Sequence, residues 1–456
     1  MDSSPASTEI APAQVSKHEA RLYELWGEIR DLRSMQELLD WDQETYMPKK
    51  GAMSRSHICG TVASLKHRAV TSNELWDVIE ACAQEAEPGS VLEAQAEAAR
   101  KDAERARRIP EDLAKAKAIA RSRGTIAWQK AREVSDFSLF EKELTELLDL
   151  AMQEAAALDP DGNPYDCLMD RFEPGATEEE LVPLFDHLVA ELTPMVRAAV
   201  ESGKVVDETP VQGRFGIAQQ LELATYAASA LGLDLDAGRL DEAVHPFCVG
   251  LAPNDVRMTW RWQEDDFRPA LYGVLHEAGH GLYEQGLPLD WHRTPLGTAV
   301  SLGIHESQSR LFENQVGRSK GFWRWLWPRF AELFPEKAAE TNVDEMWPAL
   351  HTVKPSMIRV EADEGTYNLH VAIRFQIERA LFRKDLQVAD LPAAWDDAYQ
   401  KLLGARPSNA CARCLRRPIP RRSSTCAWWA TVGALGRRCS WQTPSSRRPA
   451  VYTPDS

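Results

Sequence analysis

Two histidines four residues apart, His276 and His280, constrain this chain more than any other feature of its sequence. Residues four apart share one face of an α-helix, so both imidazoles reach a single metal ion if the segment is helical. Glu277 lies about 100° further round such a helix, where a carboxylate activates a metal-bound water instead of binding the metal. Pro269 suits a first helical turn and Gly286 a helix end, so we predict a helix between them. The competing interpretation is an ordinary helix whose histidines are solvated or buried in the core.

A catalytic zinc site usually has three protein ligands and one open position, so a third ligand must come from elsewhere. Residues 284–289 contain no histidine, which excludes the longer zincin pattern with a third histidine close behind the second. His305 and Glu306 are the next candidates, because a loop and a returning helix fit between the histidine motif and this pair. We favour Glu306 because it shares a polar helical face with Arg310 and Glu313; His305 is the alternative. This ligand set suits Zn2+, and Co2+ fits the same ligands.

Two arginines are candidates for binding the terminal carboxylate of a peptide, which an exopeptidase has to recognise. A planar guanidinium pairs with a carboxylate through two hydrogen bonds. Arg257 lies in a short β-prone piece, and Arg359 lies close before Asp363. The competing interpretation pairs each arginine with a neighbouring acid, Asp255 or Asp363, in a purely structural ion pair.

The composition excludes several classes of protein. The net charge of −16 argues against a nucleic-acid partner, because no basic patch for phosphates is evident. The sequence contains no run of about 18 apolar residues, the length that is needed to span a membrane. The first 14 residues have neither the basic flank nor the apolar core of an export signal. We therefore expect a cytoplasmic protein with reduced cysteines and with no nucleic-acid or membrane partner.

Helical periodicity dominates the chain and predicts a mainly α fold, a large helical domain. It begins near His18, and much of the N-terminal third is rich in Ala, Glu, Arg and Lys, as long charged helices are. Thr177 and Glu180 have the spacing of a capping box at a helix start. Two β-prone pieces, residues 245–250 and 255–262, predict a small hairpin or sheet beside the active site. Strands do not alternate with helices, so a parallel-sheet fold is not expected.

The end of the chain differs from the rest. Residues 404–456 contain ten arginines, a single acid and four of the eight cysteines, with little helical periodicity. Cys411 and Cys414 form a C-x-x-C pair, but no second pair follows at a spacing that a zinc ribbon needs. We divide the chain into a disordered leader (1–17), one helical domain (18–403) and an aberrant basic tail (404–456). A reading-frame error in GC-rich coding sequence explains this tail better than a nucleic-acid-binding function.

Five separated blocks of the sequence resemble those of the carboxypeptidase Taq family of zinc metallocarboxypeptidases. In chain order they are LDWDQETYMP at 39–48, HPF at 245–247, DxRxT at 255–259, the histidine motif with HESQSR at 305–310, and IRxxAD at 358–363. The resemblance extends from about residue 18 to residue 407. A histidine motif alone occurs in many unrelated peptidases, whereas the last two blocks together are specific.

This resemblance implies a largely helical, cleft-shaped single domain, usually a homodimer, with a divalent metal at the bottom of the cleft. It implies peptide substrates, from whose C-termini single residues are removed with broad specificity, proline being disfavoured. By position, the two motif histidines and Glu306 would bind the metal, and Glu277 would be general base and then proton donor. Arg257 and Arg359 lie in family motifs that line the cleft.

One departure from the family pattern bears on activity. Family members continue beyond a GxRP segment, here residues 404–407, into a GxxQDxHW block that this chain lacks. That block carries a histidine expected to help stabilise the transition state. One alternative is therefore a catalytically silent metal-binding protein that has lost the C-terminal wall of its cleft. The other is a metal-dependent endopeptidase or oligopeptidase that uses the same ligands.

Overall fold

The computed structural model describes residues 15–243, 246–357, 359 and 362–405. Most of the predicted leader lies outside these residues, and so does nearly all of the basic tail, including Cys411 and Cys414. His245 of the HPF block also lies outside them.

The described residues are mainly helical, as predicted. Their α-helices are α1 (Lys17–Glu44), α2 (Ala52–Val70), α3 (Asn73–Glu85), α4 (Val91–Arg108), α5 (Glu111–Val134), α6 (Ser138–Leu158), α7 (Pro164–Met169), α8 (Glu178–Glu201), α9 (Ile217–Ala230), α10 (Arg268–Gln285), α11 (Leu302–Arg310), α12 (Lys320–Leu333), α13 (Pro335–Glu340), α14 (Val343–Leu350), α15 (Glu364–Phe382) and α16 (Leu391–Leu403). The predicted capping box is confirmed: Thr177 accepts from the Glu180 backbone, and the Glu180 side chain accepts in return. The motif helix α10 has Pro269 in its first turn and ends at Gly286, also as predicted.

A small sheet of three strands follows α9. Its strands are β1 (Gly238–Glu242), β2 (Cys248–Ala252) and β3 (Asp255–Trp260), in the order β1-β3-β2. β2 and β3 form the predicted antiparallel hairpin, with an irregularity in register between Gly250 and Ala252. β1 pairs parallel to β3 and was not predicted, because three of its five residues are charged and its local pattern does not indicate a strand.

The described residues belong to two compact units. The first lies within Met1–Ala114, Glu208–Val300 and Gln308–Trp347. In it α10 packs against α9 and β3, and nine of the 18 residues of α10 are buried. Phe267, directly before α10, makes ring contacts with Phe215, Trp323 and Phe330 at centroid distances of 5.0, 5.7 and 5.4 Å. Burial of these large rings fixes the start of the motif helix.

The second unit lies within Lys115–Asp207, Ser301–Ser307 and Pro348–Ser456. Its central element is α15, in which eleven of 19 residues are buried. Phe375 of α15 stacks on Phe185 of α8 at a centroid distance of 4.5 Å. No helix in the described part of the chain has a stretch long and apolar enough to cross a membrane.

Candidate metal centre

α10 brings His276 and His280 side by side, as their spacing predicts. Their ring centroids lie 4.9 Å apart and the rings are nearly perpendicular, at 83°. Glu306 of α11 joins them, and one donor atom from each of the three side chains lies within 4.8 Å of the others. Two ligands of one zinc ion lie at most about 4.4 Å apart, twice a bond of about 2.2 Å, so small rotamer changes let all three share an ion. His305, the alternative ligand, is not part of this group.

The donor set itself fits a catalytic metal. Two imidazole nitrogens and one carboxylate oxygen are ligands that zinc accepts while one position stays open for water. All three side chains are partly exposed, so the ion would be accessible to a substrate. The arrangement is therefore suited to metal-assisted hydrolysis.

A glycine determines how closely α10 and α11 approach each other. A Cβ atom added at Gly279 would lie 2.5 Å from the Cα atom of Ser309 and 2.6 Å from the carbonyl oxygen of Gln308. Both neighbours are backbone atoms, which cannot rotate aside as a side chain can. Glu306 lies one turn before Ser309 on α11. The absence of a side chain at Gly279 thus keeps α11 at the distance that lets Glu306 reach the motif histidines.

Glu313 fixes the orientation of His276. Its Oε2 atom lies 2.9 Å from Nδ1 of His276 and 2.6 Å from Nη1 of Arg310. Because a carboxylate only accepts hydrogen bonds, Nδ1 carries the proton, which leaves the lone pair of Nε2 for a metal. Burial raises the pKa of Glu313, but the charge of Arg310, the bond with His276 and the charge of Arg318 outweigh it, and the pKa falls to about 2. Glu313 is therefore a fixed negative charge behind His276.

Sequence reasoning placed Glu313 on a polar stripe but missed its contact with His276. Directly after α11 the chain forms one π-helical segment, Leu311–Val316, which contains Glu313. A π turn rotates the following side chains away from the positions that α-helical spacing predicts. The usable signal was chemical: a metal-binding histidine commonly donates its second N–H to a carboxylate, and Glu313 was the acid left over in that stripe.

Glu277 is buried, with 5% of its surface exposed, and it lies one turn before Gly281, where an added Cβ atom would meet Met258 of β3. The negative charge of Glu277 acts on the pKa of the Cys248 thiol in β2. Burial raises the pKa of the Cys248 thiol well above its ordinary range, and the negative charges of Glu277 and Glu284 raise it further. That thiol stays protonated and unreactive. The Glu277 carboxylate thus lies in a water-poor environment, next along the chain to a motif histidine, which suits a group that moves a proton.

Arg257 lies on the face of the sheet that points away from α10. Side chains alternate along a strand, and Met258 lies against α10, since a Cβ atom at Gly281 would be 2.7 Å from its Sδ. On the other face, Nε and Nη2 of Arg257 donate to Asp255 at 2.9 and 3.1 Å. The guanidinium lies 4.5 Å from the centroid of the Trp41 ring. These contacts match the structural ion pair more closely than a substrate ligand.

Arg359 has no carboxylate partner among the residues that the structure describes. Its Nη1 donates to the hydroxyl of Tyr367, whose ring centroid is 5.3 Å away, and its buried Nε has no partner there. Asp363 does not pair with it and instead caps α15, accepting from the backbone of Gly365 and Thr366. Arg359 therefore retains donors for an external anion.

Comparisons with known proteins agree with these features. The family model described as carboxypeptidase Taq (M32) metallopeptidase matches residues 21–416. Thermostable carboxypeptidase 1 of Thermus thermophilus is 40% identical over 400 residues, covering 85% of this chain and 78% of the relative. Carboxypeptidase 1 of Bacillus subtilis is 37% identical over 395 residues, which cover 86% of this chain and 79% of that relative. The crystal structure of the M32 carboxypeptidase from Deinococcus radiodurans R1 is similar, with a TM-score of 0.86 and 35% identity over 93% of this chain and 85% of that one.

Proposed function

The chain belongs to the carboxypeptidase Taq (M32) family of metallopeptidases, and from this premise we propose that it is a metal-dependent carboxypeptidase releasing single amino acids from peptide C-termini. The observation that carries the proposal is the convergence of three donor atoms, from the motif histidines and Glu306, within 4.8 Å. The relatives in Thermus thermophilus and Bacillus subtilis that support it bear the name carboxypeptidase.

In this proposal His276, His280 and Glu306 hold the metal. Zinc is the first candidate and cobalt the second, because both suit these ligands. When bound, the metal supplies a Lewis acid that lowers the pKa of a water molecule and polarises the scissile carbonyl. Glu313 holds His276 in the tautomer that can act as a ligand.

Glu277 moves the proton. Its carboxylate accepts a proton from the attacking water and then gives it to the nitrogen of the leaving amine. Glu277→Gln keeps the shape of the side chain and removes the proton acceptor, so we expect normal metal content and a kcat lowered at least about 100-fold. Substantial hydrolysis by the metal-loaded variant would refute this role.

We assign the terminal carboxylate of the peptide to Arg359, with Arg257 as the second candidate. Arg359 retains free donors among the described residues, whereas Arg257 is already paired with Asp255. Loss of the paired hydrogen bonds between a guanidinium and a carboxylate costs about 1.5–3 kcal/mol. Arg359→Met should therefore raise KM about 10- to 100-fold. Arg257→Met should lower the melting temperature and leave KM unchanged. The opposite pattern would exchange the two assignments.

The decisive experiment offers one peptide to the metal-loaded chain in two forms, with a free C-terminal carboxylate and with a C-terminal amide. A carboxypeptidase releases the last residue of the free acid and spares the amide. Internal cleavage of the amide would identify an endopeptidase or oligopeptidase instead. Bound metal without hydrolysis of either form would identify the catalytically silent alternative.

Further properties are proposed from the family resemblance: broad specificity with proline disfavoured, a homodimer, and a cytoplasmic location. Peptides that differ only in the last residue test the specificity, and light scattering tests the homodimer. The cysteines that the structure describes, Cys59, Cys82, Cys167 and Cys248, are free, which suits a reducing compartment.

A further inference from the structure

One face of α15 carries a cluster of polar side chains inside the second unit. Tyr367, His370 and Arg374 follow each other at helical spacing on this face, and Tyr399 of α16 lies opposite. His370 Nδ1 lies 3.0 Å from the Tyr399 hydroxyl, and Nη2 of Arg374 donates to the same hydroxyl at 3.4 Å. Arg359 reaches the cluster at its other end, where it donates to Tyr367.

Arg374 is the unusual member of this cluster. It is 5% exposed, yet its described partners are neutral: the carbonyl oxygen of His370, the Tyr399 hydroxyl and the ring of Trp395 at 5.1 Å. Its Nε has no hydrogen-bond partner among the described residues. A buried guanidinium is normally paired with an acid, because an unpaired charge in the interior is costly. Arg374 therefore carries a charge that the described fold does not neutralise.

Another arginine on the same helix shows the usual arrangement. Arg379, five residues further along α15, donates from Nε to the carboxylate of Glu178, which is 3% exposed. Arg383 pairs with the same carboxylate. Arg379, which is only partly buried, is thus paired with an acid, whereas the more deeply buried Arg374 has no acid partner among the described residues.

Arg359 and Arg374 act on each other. Burial lowers the pKa of Arg374, and the like charge of Arg359 lowers it further. Each guanidinium has an Nε atom without a partner among the described residues. Two neighbouring cations repel each other until an anion binds, so the cluster is less stable empty than occupied. A carboxylate at the partly exposed Arg359 would relieve this repulsion.

We propose that Arg374 is a positioning residue for substrate recognition, a buried charge that acts through Tyr367 and Arg359 to strengthen binding of a peptide's terminal carboxylate. The inference rests on the proposed carboxypeptidase function, and it adds a second guanidinium to the recognition of that carboxylate. The buried charge of Arg374 lowers the stability of the ligand-free protein, as functional residues commonly do.

Arg374→Met, which removes the charge and keeps an unbranched apolar side chain, tests the proposal in the full-length, metal-free protein. The probes are N-acetyl-alanyl-alanine and its C-terminal amide, measured by isothermal titration calorimetry. We expect about tenfold weaker binding of the acid, the effect of a unit charge about 10 Å away at an effective dielectric constant of about 20. Binding of the amide should not change, and the melting temperature of the variant should rise.

Two matched variants control for structural effects. Arg374→Lys keeps the charge and should keep most of the affinity for the acid. Arg379→Met removes a paired arginine and should lower the melting temperature without changing that affinity. A lower melting temperature for Arg374→Met with unchanged affinity for the acid would overturn the proposal, and so would equal loss of affinity in the Lys and Met variants.

Kinetics of the metal-loaded protein separate this inference from the proposed function. Arg374→Met should raise KM and leave kcat nearly unchanged, because the lost interaction exists before and during the reaction. If the wild type hydrolyses no peptide but Arg374→Met still binds the acid probe more weakly than the wild type does, the peptidase proposal fails and the binding role of Arg374 stands. If the wild type hydrolyses peptides and the variant binds both probes as the wild type does, the role of Arg374 fails alone.

Discussion

Replacing Gly279 by alanine is expected to open the metal centre without touching a ligand. The added Cβ atom would lie 2.5 Å from the Cα atom of Ser309, whereas ordinary contacts begin at 3.4 Å. The backbone of α11 therefore has to move by about 0.9 Å, and overpacking of this kind costs about 1–3 kcal/mol. A stability of about 5–15 kcal/mol absorbs that cost, so the variant should still fold.

The same displacement is large for a metal site. Metal–ligand distances tolerate about 0.2 Å, and Glu306 moves with α11. We expect the affinity for zinc to fall about 100-fold, at the upper end of what perturbation of supporting residues causes. Competition with a chelator of known zinc affinity measures the change, and thermal unfolding confirms that the variant is folded.

Gly273→Ala is the matched control, because it makes the same substitution on the same helix. A Cβ atom at Gly273 has no neighbour within 4 Å. Alanine there should leave the zinc affinity unchanged and stabilise the helix by about 0.5–1 kcal/mol. Wild-type zinc affinity in folded Gly279→Ala protein, or an equal loss in both variants, would refute the argument that the contact with Ser309 positions Glu306.

Two further predictions concern acids whose pKa is lowered, Glu313 and Glu178. Glu313→Gln removes the negative charge beside His276 and should weaken zinc binding about 10- to 100-fold, as measured by the same chelator competition. An unchanged affinity for zinc would contradict the orienting role of Glu313. Glu178 is buried; burial raises its pKa, but hydrogen bonds from Asn163 and Arg379 outweigh this and lower it below the ordinary 4.5. A carboxyl group whose pKa is lowered in the folded state stabilises the fold at pH values above its ordinary pKa. This stabilisation is lost as the pH falls through the folded-state pKa. Urea unfolding should therefore show stability falling below about pH 4.5 in the wild type, and more weakly in Glu178→Gln; parallel pH profiles would contradict this.

The parts of the fold that local sequence signals specify were predicted well. Pro269 and Gly286 delimit α10 because each acts through its own backbone, and the capping box at Thr177 uses residues three apart. The hairpin of β2 and β3 follows from β-prone residues. β1 was missed because its sequence, GRLDE, forms a strand through pairing with β3 and not through its own propensity.

The candidate site divides in the same way. Helical spacing is enough to bring His276 and His280 together, and a polar stripe indicated Glu306. The contact of Glu313 depends on a π turn, and the close approach at Gly279 depends on a neighbouring helix, so neither has a local signal. Because side chains alternate along β3, Arg257 and Met258 point to opposite faces of the sheet. Tertiary packing decides which of these faces meets α10.

Anomalous X-ray diffraction at the zinc edge, from crystals of the zinc-loaded protein, tests the central claim most directly. The account predicts one strong peak about 2.0–2.2 Å from a nitrogen of His276, a nitrogen of His280 and a carboxylate oxygen of Glu306. A peak at other residues, or a zinc ion that Glu306 does not touch, would contradict it.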